Sequence, residues 1–179
     1  MMPFLFLLGS FPLNGTWAQP CQSGYFRTEI FLGNSATYVE RNFSDGACTE
    51  PSVVTTSRGE IDLGGAVNTP AGALALDFTF TSVSLKPVTD GAAKVWRERR
   101  VCGVSDWRAG EERDVTGLEC DFAGQGTFTR VPQWGDRRFG VVELGSNEIS
   151  FGRLSPIRDG ANPDRRPLEL DPVPYFNVP

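Results

Sequence analysis

Apolar residues recur along this chain in short alternating runs, and Gly, Pro, Asn and Asp cut one run from the next. No segment carries a long apolar series at helical spacing, so the pattern predicts a sheet protein with many short strands. The first run is YFRTEIFL, residues 25–32. Alternation puts Phe26, Thr28, Ile30 and Leu32 on one face, read as the inner one, and Arg27 and Glu29 on the other. GNSA turns the chain, and ATYVERNF runs back to the turn signal Ser44-Asp45-Gly46, which predicts a first hairpin. SVVTTSRGEIDLGG follows, with Gly59 expected at a bend or bulge.

The clearest strand is ALALDFTFTSVSL, residues 73–85. Leu74, Leu76, Phe78 and Phe80 share one face; Ala75, Asp77, Thr79 and Thr81 share the other. After Phe80 the apolar phase slips to Val83 and Leu85. A one-residue slip exchanges the faces, so a bulge or bend is predicted near Thr81-Ser82. AKVWRERRVCG reads as a further strand, then a polar, turn-rich stretch, then GTFTRV, RRFGVVEL and EISFGRL as three final strands. From residue 156 the chain is rich in proline, which excludes a central strand or a helix. The sum is about eight or nine strands without helical crossovers, an antiparallel meander rolled into a barrel, closed or half-open. The division is an apolar segment over 1–13, the barrel over 14–155, and an extended tail packed on its outside over 156–179.

The 179 residues fit one domain with its own core. A net charge of −5 speaks against general nucleic-acid binding. The chain has no histidine, and so lacks the commonest general base, zinc ligand and pH switch. Four cysteines allow three connectivities. The spacing suggests two local pairs, Cys21–Cys48 and Cys102–Cys120, each bracketing a hairpin-sized segment. A zinc site competes poorly, with no C-x-x-C and no His. Two disulfides imply an oxidising compartment, secreted or periplasmic. MMPFLFLLGS is apolar and uncharged, too short to span a bilayer, and reads as the remnant of a signal peptide.

Gly15-Thr16-Trp17 precedes the first strand, as in many lipocalin-like barrels, where the Gly allows close backbone approach and the Trp plugs one end. With Cys21, YFRTEIFL, FSDGACTEP, RVCGVSDWRAGEERDVTGLEC, ISFGRLSP and the Arg166-Pro167 pair of RRPLEL, the chain resembles the adenomatosis polyposis coli down-regulated (APCDD-type) domain. The resemblance spans about residues 15–170. It implies a lipocalin-like, half-open barrel with an apolar cavity and a lipid-like ligand, and gives Gly15, Trp17, Arg166 and Pro167 structural roles. Animal members carry two such domains on one membrane anchor and inhibit Wnt signalling; a one-domain chain does not inherit that activity.

Phe26, Ile30, Leu74, Leu76, Phe78, Phe80 and Phe128 are the candidate cavity lining, with a side-chain-filled core as the alternative. Arg97 and Arg99, with Arg100 beside them, would form a basic rim for an anionic head group, or else a solvated strand face. Trp107 and Trp134 are expected to pin loops. There is no nucleophile elbow, phosphate loop or metal triad, so catalysis, a cofactor and a metal are not expected. The expected function is non-catalytic binding of a hydrophobic small molecule or lipid acyl chain by a monomer. The alternative is a filled barrel that meets a protein, membrane surface or cell envelope through its 102–120 loop around Trp107. An enzyme would need an inward acid or base, for which Asp77, Glu29 and Glu40 are the candidates.

Overall fold

The structure, a computed structural model, describes residues 12–179. The expectation for the apolar N-terminal segment falls almost wholly on residues 1–11, outside those described. Five strands come first: β1 (Gly15–Gln22), β2 (Tyr25–Leu32), β3 (Ser35–Phe43), β4 (Pro51–Ala66) and β5 (Leu74–Pro87). Helix α1 (Asp90–Arg99) and a short 3-10 turn follow, then the two-residue strands β6 (Arg113–Asp114), β7 (Glu119–Cys120) and β8 (Thr129–Arg130). The chain ends with β9 (Arg137–Leu144), β10 (Glu148–Phe151) and β11 (Tyr175–Val178).

The strands run in the order β4-β3-β2-β1-β11-β10-β9-β5-β6, and β4 also pairs with β5. That last pairing closes an antiparallel barrel of eight strands, with β6 as an extra strand on β5. The all-β, lipocalin-like architecture expected from the sequence is therefore present. Closing the ring removes the unpaired edges that an open sheet would expose.

The slip in β5 is a bulge. Arg58 pairs with Ser82 and Gly59 with Phe80, leaving Thr81 unpaired. The extra residue keeps Phe80 and Val83 on the same inner face. Gly59 sits opposite, where a Cβ would lie 2.2 Å from the Thr79 carbonyl oxygen and 2.7 Å from the Phe78 ring. Only glycine lets the two strands approach there.

Trp17 closes the lower end. It packs with Leu13, Phe31, Ile61, Leu76, Val142 and Ile149, and its indole N–H donates to the Leu13 carbonyl at 2.8 Å. Gly15, at φ +130°, brings the incoming backbone against Asn177 of β11. A second core lies at the upper end, where Phe80, Val83 and Leu85 meet Trp96, Val101, Trp107, Val115 and Val131 of the 88–136 insertion. Both expected disulfides form: Cys21–Cys48 ties the end of β1 to the β3–β4 loop, and Cys102–Cys120 holds the insertion. They mark an extracytoplasmic protein. Among the described residues no helix is long and apolar enough to cross a membrane.

Several expectations fail: Gly15–Trp17, read as preceding the first strand, lies in β1, and GTFTRV supplies only β8, which pairs with β7 outside the barrel. Lys94–Arg100 is not a strand; Lys94–Arg99 belongs to α1, which Thr89 caps by accepting from the Ala92 N–H and which Arg100 ends. Helical spacing buries Ala93 and Trp96 on one face and leaves the charges outside. The proline-rich tail does pack on the outside, but its last residues are a central strand. β11 lies between β1 and β10 and completes the ring. No proline falls within Tyr175–Val178, so no ladder donor is lost. The barrel therefore runs from Gly15 to Val178.

Candidate functional site

The barrel holds a half-open lumen of about 750 Å³, within the size range of small-molecule sites. Its two walls differ in chemistry. β5, with Val131 of the insertion, supplies an apolar wall of Leu76, Phe78, Phe80, Val83 and Leu85. β2, β3 and β4 supply Arg27, Glu29, Tyr38, Glu40, Thr55 and Ser57. Register fixes this arrangement. Arg27 pairs with Glu40 and Glu29 with Tyr38 across β2–β3, and Tyr38 and Glu40 pair with Ser57 and Thr55 across β3–β4. Paired residues share a face, so one inward member carries the whole row inward.

The phase of β2 is thus the reverse of that expected. Arg27, Glu29 and Phe31 point inward, and Phe26, Thr28, Ile30 and Leu32 point out. Phe26 lies under the Arg41 guanidinium, 5.9 Å from its ring centroid, and Arg41 also donates to the Thr28 hydroxyl. Phe26 and Ile30 therefore do not line the lumen. Leu76, Phe78 and Phe80 do, and Leu74 packs against the lower core beneath it. Phe128 is 64% exposed, outside the cavity. Arg97 and Arg99 sit on α1, where they donate to the Trp107 and Phe122 carbonyls; they form no rim to the lumen. Trp107 is fully buried, so it cannot be a contact surface, whereas Trp134 is 75% exposed and pins nothing.

Asp77 faces outward, as its alternation predicts, but beneath the tail. It pairs with Arg137 at 3.2 Å and Arg166 at 2.5 Å. Both guanidinium groups stack over Phe139. Arg166 also donates to the Gly140 carbonyl, and Pro167 beside it is fully buried. This clamp holds the tail across β5 and β9 and so directs β11 into its place.

Within the lumen, Glu40 is well satisfied. It accepts from Arg27 Nε at 2.9 Å and from the Tyr38 hydroxyl at 2.7 Å. Burial works against the Arg27 charge, but the hydrogen bond to Glu40 together with the charges of Tyr38, Glu40 and Tyr175 outweighs it and raises the Arg27 pKa. Burial raises Tyr38 as well, reinforced by the Glu40 charge. Tyr175 is raised by burial and then by Glu29, so both phenols are neutral at physiological pH.

Glu29 and Arg138 differ from that pair. Among the described residues neither makes an ion pair within 4.0 Å. Burial pushes the Glu29 carboxyl up to about 8, and Arg138 only partly opposes the shift. Arg138 comes from β9, opposite Phe78, and its guanidinium lies over the Phe80 ring at 5.2 Å. It is open to the lumen, and desolvation lowers its pKa. Residue-by-residue alternation hid these groups, because charged residues on a sheet usually face solvent. The pairing of Arg27 with Glu40 across the first hairpin was the available signal.

Among the described residues no group of His, Cys, Asp and Glu is arranged to hold a metal ion. Compared with protein-family models and with curated proteins, the sequence gives no match.

Proposed function

We propose that this protein is a secreted or periplasmic carrier that holds a hydrophobic or amphipathic small molecule in its barrel lumen. The observation that carries this reading is the unfilled lumen itself, with one apolar and one polar wall. A filled interaction module would bury its inward side chains against each other and leave no such space. An acyl chain leaving water for the Leu76–Phe78–Phe80 wall would gain about 0.8 kcal/mol per buried CH₂. The polar wall would set its orientation. The ordered motifs that resemble the APCDD-type domain agree with a lipid-like ligand.

Glu29 gives an acid–base reading one foothold, since a neutral carboxyl in a cavity can donate a proton. Binding is the stronger reading because Glu40, the other inward carboxylate of the polar wall, is held by Arg27 and Tyr38 and is not free to act with it.

The test is binding of the neutral fluorophore N-phenyl-1-naphthylamine, with displacement by a panel of lipids and single-chain amphiphiles. Saturable binding that Ser57→Trp abolishes, with the fold retained by circular dichroism, supports a carrier. No binding by the folded wild-type protein, or binding unchanged in Ser57→Trp, overturns it.

A further inference from the structure

The lumen is lined by four arginines, Arg27, Arg130, Arg138 and Arg153, against three carboxyl groups, Glu29, Glu40 and Asp171. This local excess of positive charge runs against the net charge of −5 for the whole chain. Three of these seven groups have partners. Arg27 and Glu40 neutralise each other at 2.9 Å. Asp171 accepts from the Val173 N–H. Asp159, which lies toward Arg138, is taken by Arg165 at 2.8 Å. Among the described residues, Arg130, Arg138 and Arg153 are all left without a carboxylate partner, and Arg138 is the one of the three whose guanidinium lies over a ring of the apolar wall. Its guanidinium lies 5.2 Å from the Phe80 ring centroid and lines the lumen. Glu29 is its counterpart on the polar wall, yet the two do not meet within 4.0 Å.

We propose that the lumen selects a long-chain monocarboxylate, with its head between Arg138 and Glu29 and its chain along the Leu76–Phe78–Phe80 wall. This rests on the carrier reading above and names the ligand class. A guanidinium edge offers two parallel N–H donors to one carboxylate. The protonated Glu29 carboxyl offers an O–H donor to the same head. Arg138 is the unpaired arginine that rests on the apolar wall, so a head held by it leaves its chain beside Phe80. An ammonium head would meet Arg138 with no free carboxylate to offset it.

The proposal carries a pH dependence. Arg27, Tyr38, Glu40, Arg138, Tyr175 and, toward the mouth, Arg130, Arg153 and Asp171 face the site from the surrounding elements. Of these and Glu29, Glu29 is the group that changes charge near pH 8. Above that pH its carboxylate repels the ligand head and competes for Arg138.

The experiment displaces the same neutral fluorophore with tetradecanoate, tetradecanol, tetradecyl phosphate and tetradecylammonium, at pH 7 and pH 9.5. At pH 7 tetradecanoate should bind at least tenfold more tightly than tetradecanol. Arg138→Met should erase that preference, and Arg138→Lys should restore part of it. Tetradecanoate should weaken several-fold at pH 9.5 in the wild type but not in Glu29→Gln. Equal affinity for acid and alcohol overturns the proposal while leaving the carrier reading intact. So does preference for the ammonium or for the phosphate, or a preference that survives Arg138→Met. If the fluorophore itself does not bind the folded protein, the carrier reading falls first.

Discussion

Replacing Glu29 with glutamine should remove a pH dependence from the stability of the whole barrel. Glu29 titrates near an ordinary carboxyl value, 4.5, when unfolded, and burial in the lumen wall raises it to about 8 when folded. Between those values the folded state binds more protons than the unfolded one, so stability falls as pH rises. The contribution is fully present below about pH 4.5 and lost as pH passes through 8. At about 1.4 kcal/mol per pKa unit the loss approaches ~5 kcal/mol. Water in the lumen reaches Glu29, which is only half-buried by area, so that figure is an upper bound. The amide introduced by Glu29→Gln has no proton to lose. Urea unfolding at pH 5, 7 and 9 should therefore show the wild type falling relative to Glu29→Gln by several kcal/mol between the end points, most of it by pH 8. Parallel curves, within ~0.5 kcal/mol, would refute the placement of Glu29 inside the barrel.

Three other outcomes follow from packing. Asp77→Ala leaves Arg166 without its carboxylate under the tail and should cost about 2–4 kcal/mol, discounted because Arg137 is exposed; limited proteolysis should cut first within 153–172. Gly59→Ala would press a methyl onto the Thr79 carbonyl and should cost about 3 kcal/mol or more in urea unfolding, since the obstruction is backbone. Trp17→Ala removes the plug from the lower core and its bond to Leu13, at about 3–5 kcal/mol; thermal unfolding should show a large fall in Tm with both disulfides intact.

The sequence alone carried the fold class, because alternation and turn residues are local signals. β5 was legible residue by residue, including its bulge. Leu74 to Phe80 alternate without interruption, and the slip to Val83 and Leu85 has one simple cause. The disulfide pairs were legible for a similar reason, since each joins cysteines separated by 27 or 18 residues within one local segment.

Other features depended on partners distant in sequence. The charged and apolar faces of β2 can be assigned either way by pattern, and only pairing with β3 and closure around a polar-walled lumen turned Arg27 and Glu29 inward. Lys94–Arg100 alternates like a strand, and the Thr89 cap with burial of Trp96 against Trp107 made it a helix. Tyr175–Val178 is too short to be a strand on its own. Clamped in place by Arg166 on Asp77, and offered open edges by β1 and β10, it became one. Local pattern thus determined the all-β class, the strands β2 to β5 and the turns between them. Which side faces the interior, and which strand closes the ring, was decided by hydrogen-bonded register and by charges that find partners only once the barrel has formed.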